Sequence, residues 1–114
     1  MISKELLNSV YEYSGDRISD IELSGTKIYY TLKQGTCFAR QNINIHELAH
    51  RVKEWANIEG YALYSGKNDN IWIIATEEYF LGKPQGKLEI RDEFTSDTEA
   101  EAIFKAGQWI LENR

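Results

Sequence analysis

His46-Glu47-Leu48-Ala49-His50 is the stretch of this chain whose residue types and spacing could do chemistry. On a helix, positions i and i+4 share a face, so both imidazoles can reach one Zn²⁺ while Glu47 polarises a bound water for attack on a peptide carbonyl. A catalytic zinc needs a third protein ligand. These are the only two histidines, and the lone Cys37 is distant in sequence, so the ligand has to be a carboxylate, with Glu77 or Glu78 the nearest choice. A plainer reading competes. His46, Glu47, His50, Arg51 and Glu54 also form the wet face of an amphipathic helix whose other face is Ile45, Leu48, Ala49, Val52 and Trp55. That reading accounts for every residue without a metal. Asn44 opens the helix, which leaves His46 in a fraying first turn, and Arg51 sets a cation beside the supposed metal. The expectation is therefore no catalytic residue, no metal and no cofactor. The alternative is a minimal zinc metallopeptidase with Glu47 catalytic and His46 and His50 as ligands.

No other arrangement makes a stronger case. The turn Gly82-Lys83-Pro84-Gln85-Gly86 lacks the Gly-Lys-Ser/Thr ending of a phosphate-binding loop. Glu77 and Glu78 are neighbours, so in a strand their carboxylates point apart and cannot share a proton. Cys37 allows no intrachain disulfide and no cysteine-based zinc site.

The elements that would position these residues can be read from periodicity. Ser3 caps a first helix over about residues 4–13, with Leu6, Leu7, Val10 and Tyr13 at helical spacing and Gly15 placed to end it. Ile21 and Leu23, then Ile28, Tyr30 and Leu32, alternate with polar residues around Ser24-Gly25-Thr26, which reads as a hairpin. Residues 34–43 are less regular and read as a connection. Asn44 has capping-box spacing to Glu47, and the helix it opens carries apolar residues through Trp55 and Ala56 up to a terminal Gly60. Three strands follow, at Tyr61 to Ser65, Asn70 to Thr76 and Lys87 to Glu93, the middle one apolar on both faces through Trp72 and Ile74 and hence central. Overlapping boxes at Ser96 to Glu99 and Thr98 to Glu101 start a last helix. Gly107 in its apolar stripe implies close approach to another backbone. The fold class is α+β, a single domain over 1–114.

Residues 44–113 resemble small bacteriophage and prophage proteins of unknown function, through Glu47-Leu48-Ala49 with Lys53-Glu54-Trp55-Ala56, and through Thr98 to Ala106 with Trp109-Ile110-Leu111. The resemblance implies an α-β-β-β-α sandwich core and a mobile-element setting, but assigns no activity or site. Residues 1–43, an N-terminal helix and hairpin, lie outside it.

Composition narrows the function further. With 13 Lys+Arg against 18 Asp+Glu the net charge is −5, and the basic residues never form a run of three, so a phosphate backbone is not an expected partner. The acidic excess is too small for a DNA mimic. No apolar stretch is long enough to span a bilayer and the first residues lack a secretory pattern, so the expected location is cytoplasmic. What remains is a non-catalytic protein-interaction module. Tyr79, Phe80 and Leu81 run consecutively before the Gly82 turn, and a strand can bury only alternate members of such a run. They are the expected contact for an unknown protein partner, with a homodimer also open. Tyr11, Tyr29 and Tyr64 are further partly exposed rings.

Overall fold

Helix α1 (Lys4–Val10) begins where the Ser3 hydroxyl accepts the Leu6 N–H at 3.1 Å. It stops short of the expected residue 13, because Glu12 takes a left-handed conformation (φ +58°) and Tyr13 N–H donates back to the Asn8 carbonyl. A non-glycine residue thus makes a Schellman-type stop. The computed structural model describes residues 1–13, 17–66, 71–75, 78–80, 83–85 and 89–113, with the backbone alone at 72, 74–75, 78–80, 83–85 and 89–90. The expected stop at Gly15 lies outside the described residues.

Strands β1 (Ile18–Ser24), β2 (Lys27–Gln34) and β3 (Cys37–Asn44) form an antiparallel sheet in that order. Gly25 and Gly35, both at φ +62°, make the two tight turns. In β2 the alternation holds: Ile28, Tyr30 and Leu32 are buried. The expected hairpin is therefore the first part of a three-stranded sheet, and reading residues 34–43 as a connection was incorrect. β3 pairs with β2 without interruption from Asn44↔Lys27 to Cys37↔Gln34. It is an edge strand with most positions exposed, so it shows no apolar alternation and is held by backbone pairing. β1 differs, with a register shift between Ser19 and Glu22 where Asp20 sits at φ +52°.

Helix α2 (Ile45–Ile58) follows β3 directly. The Asn44 side chain accepts the N–H groups of His46 at 2.8 Å and Glu47 at 3.4 Å, as capping-box spacing requires. Gly60 at φ +95° releases the chain into β4 (Tyr61–Ser65). β5 (Ile71–Ala75) comes next, then β6 (Glu78–Phe80), β7 (Lys83–Gln85) and β8 (Glu89–Phe94). The second sheet has the order β4-β5-β8, antiparallel throughout, so the strand expected to be central is central. The exposure of Trp72, the basis of that expectation, lies outside the described residues. β6 and β7 pair as a separate two-stranded ribbon, with β7 falling in the Gly82-to-Gly86 segment expected to be a turn.

Thr98 Oγ1 caps α3 (Glu99–Asn113) by accepting Glu101 N–H at 3.2 Å. Among the described residues the buried side chains form one cluster, running from Leu6 and Leu7 through Ile18, Ile28 and Leu32 to Val52, Ile71, Ile73 and Ile110. The three helices meet at Gly107, where a Cβ would lie 2.9 Å from both Leu6 Cδ2 and Val52 Cγ1. Close approach was expected, but the neighbours are side chains rather than backbone. On β4, Tyr61 meets Trp109 of α3 while Ser65 meets Lys53 of α2 and Glu99 of α3. Positions 61 and 65 share a strand face, so both helices meet the same face of β4. No helix among the described residues is long and apolar enough to cross a membrane.

Candidate functional site

The first two turns of α2 carry the HExxH residues, and all three polar members are exposed. Two of these side chains, those of His50 and Glu47, are paired along the helix. His50 Nε2 lies 2.8 Å from Glu54 Oε1, one turn toward the C-terminus, and Arg51 Nη2 lies 3.9 Å from Glu47 Oε1. The carboxylate that would polarise water therefore faces a guanidinium on its own helix, and the second imidazole faces a carboxylate. Such exposed i,i+4 pairs stabilise a helix by about 0.3–0.5 kcal/mol each.

His46 and His50 do share a cleft of about 200 Å³ with Lys53, Glu99 and Ile103, formed where the first turns of α3 pass α2. The acid at this cleft is Glu99, not Glu77 or Glu78. Glu77 and the Glu78 side chain lie outside the described residues. The Ser65 hydroxyl donates to Glu99 Oε1 at 2.5 Å, and Lys53 Nζ lies 3.1 Å from Ser65 Oγ and 3.5 Å from Glu99 Oε1. The Ser65 hydrogen bond, helped by Lys53 and weakly by His46, holds the Glu99 carboxyl below its ordinary range against the opposing effect of burial. The ammonium thus occupies the acid that a metal would need. Among the described residues no three of His, Cys, Asp and Glu are arranged to hold a metal ion.

A second cluster was not foreseen. Tyr11 and Tyr13 stack at 5.8 Å, Arg51 lies 5.3 Å over Tyr11 and Arg17 lies 5.5 Å over Tyr13, giving an Arg-Tyr-Tyr-Arg column between α1, β1 and α2. Tyr30 is buried beside it. Burial, together with Tyr13 and Tyr11, pushes the Tyr30 hydroxyl up to about 12. Burial also raises Tyr11, opposed by Arg51. The α1 stop at Glu12 and the pairing of β1 with β2 bring these rings together, and no local spacing signals it.

On the outer face of the first sheet, Arg40 of β3 organises the surface. Its guanidinium donates to the Asp20 carbonyl at 2.9 Å and to Thr31 Oγ1 at 3.1 Å, reaches Glu22 Oε2 at 3.2 Å and lies 5.9 Å over the Tyr29 ring. Large apolar side chains also stand in solvent: Phe38 on β3 is 68% exposed and Ile58 at the end of α2 is 82% exposed. Tyr64 is exposed and Tyr11 and Tyr29 are half-buried, so all three rings are partly exposed as expected.

The expected contact residues fall on the ribbon. The backbones of Tyr79 and Phe80 lie in β6, with Tyr79 paired to Pro84 and Phe80 to Lys83. Their side chains, and Leu81 altogether, lie outside the described residues. Compared with known proteins, the chain matches no protein-family profile, no curated protein and no solved structure.

Proposed function

We propose that this chain is a non-catalytic protein-interaction module, an accessory or inhibitor protein of a phage or other mobile element that acts in the cytoplasm by binding another protein. The observation that carries the reading is the division of its polar and apolar surface. Of the residues that could do chemistry, His50 is paired with Glu54 and Glu47 with Arg51 along α2, and Glu99 with Lys53, whereas Phe38 and Ile58 stand in water with nothing to gain there. Neither phosphate backbone nor membrane has a matching feature among the described residues. Charge is −5, and no described helix could span a bilayer.

Contact with the partner is assigned to Tyr79, Phe80 and Leu81, the first two of which have their backbone in β6, on a short ribbon outside both three-stranded sheets. Substitution there should not disturb the core. Phe80→Ala is expected to leave the circular dichroism spectrum and melting temperature unchanged and to weaken capture of the host partner, identified with wild-type bait, by more than about 1 kcal/mol. Undiminished capture by a folded Phe80→Ala protein removes the ribbon from the site.

The second reading, a minimal HExxH metallopeptidase, draws on the cleft that His46 and His50 share with Glu99. It requires Lys53 to leave Glu99 and Arg51 to leave Glu47. Stoichiometric zinc in protein purified without a His-tag, lost on His46→Ala, together with peptide hydrolysis lost on Glu47→Gln, is the result that favours it.

A further inference from the structure

Four strands edge the two three-stranded sheets, and they differ in how open they are to further pairing. β8 carries four charged residues among six, Glu89, Arg91, Asp92 and Glu93, and β4 has only five residues. β1 is broken by the bulge at Asp20 and carries Asp20 and Glu22. These are the devices that keep sheet edges from pairing: charge, shortness and bulges. β3 is neither short nor bulged, and it is the least charged of the strands that have such length. It is eight residues long, pairs with β2 in unbroken register, contains no proline or lysine, and has Arg40 as its single charge.

We propose that β3 is an interface strand that pairs antiparallel with β3 of a second copy of this chain about a two-fold axis through Gln41, joining two three-stranded sheets into one of six. This deepens the protein-binding reading and rests on it, naming one partner as the chain itself. The strand's own side chains choose the register. Residues paired across an antiparallel two-fold normal to the sheet share a face, so the axis must pass through a residue. An axis at Arg40 opposes two guanidiniums, which is repulsive. An axis at Ala39 pairs only residues 37–41. With the axis at Gln41, residues 38–44 all pair: Arg40 faces Asn42 of the second copy, and Ala39 faces Ile43. Within one chain Ala39 pairs with Leu32, and Ile43 with Ile28. The joined sheet then has a continuous row Leu32-Ala39-Ile43-Ile28 on its core side, twice over, extending the buried stripe of β2 across the dimer. The pairing also covers the open backbone beside Phe38, the most exposed aromatic among the described residues.

The test uses the full chain. Sedimentation or light scattering should give twice 13.2 kDa for the wild type, and Gln41→Asp, which opposes two carboxylates at the axis of a position exposed in the monomer, should return the mass to 13.2 kDa with unchanged circular dichroism. Cross-linking provides a second, independent readout. In a Cys37→Ser background, Gln41→Cys should give a disulfide dimer on mild oxidation, since paired Cα atoms lie about 4.5–5.5 Å apart. Wild-type Cys37 should not cross-link, because this register separates the two thiols by about 27 Å along the strand. The proposal is overturned by a monomeric wild type at about 100 μM, by a dimer that survives Gln41→Asp, or by cross-linking through Cys37 that equals that through position 41. Any of these leaves the wider binding reading to the Phe80→Ala capture experiment, which does not involve β3.

Discussion

Gly107→Ala opposes two effects of comparable size, and the structure decides between them. In an isolated helix the substitution is favourable by up to about 1 kcal/mol, because alanine restricts the unfolded chain and glycine does not. Here the new methyl would sit 2.9 Å from Leu6 Cδ2, 2.9 Å from Val52 Cγ1 and 3.4 Å from Leu6 Cδ1. Carbon contacts are comfortable at about 3.5–4.0 Å, so roughly 0.6–1.1 Å must be found on two sides at once. Leu6 can rotate its terminal methyls only within a packed core, since it is fully buried. Val52 is also fully buried and is stiff at χ1, so α3 must move away from α2. Overpacking of this kind costs about 1–3 kcal/mol, which exceeds the propensity gain. The expected net effect is a destabilisation of about 1–2 kcal/mol, or a melting temperature lower by roughly 4–8 °C for a domain of this size. Urea titration followed by tryptophan fluorescence measures it, with an unchanged m-value required for the comparison. Val52→Ala removes one of the two clashes, so the double variant should be less destabilised than the sum of the singles by about 1 kcal/mol. A Gly107→Ala protein more stable than wild type would refute the reasoning and show that the helices separate freely.

His46→Ala removes an exposed side chain while keeping the backbone N–H that Asn44 accepts, so stability should stay within about 0.5 kcal/mol of wild type, with no bound zinc to lose by metal analysis. A larger loss means that the cleft with Glu99 holds the helices together. Tyr30 titrates at about 12 in the folded protein, above its ordinary 10.0, so the neutral hydroxyl's contribution is complete below pH 10 and lost as pH rises toward 12. Alkaline unfolding followed by circular dichroism should therefore begin above pH 10 and be shallower in Tyr30→Phe, and an identical profile in the two proteins rules this out.

Local rules carried the helices. Asn44 and Thr98 act as caps where their spacing to Glu47 and Glu101 placed them, and the α2 stripe of Leu48, Ala49, Val52 and Trp55 is buried as its period requires. Capping and amphipathic periodicity depend on neighbours within a few residues, which a sequence displays directly. β5 was legible as the central strand of its sheet from its run of consecutive apolar residues. Three things were set by tertiary structure alone. β3 has wet residues on most positions, so its strand character resides in the ladder to β2, and pairing between distant backbones leaves no side-chain signature at an edge. The end of α1 depends on Glu12 adopting a left-handed conformation that glycine would have advertised and glutamate does not. The surroundings of the HExxH residues were also beyond sequence. Their spacing was visible, but Lys53 and Ser65 reach Glu99 only because β4 and α3 meet beside α2, and Arg51 reaches Tyr11 only because α1 packs against the same helix. A motif reports which groups share a helix face, and long-range packing decides which charges arrive opposite them.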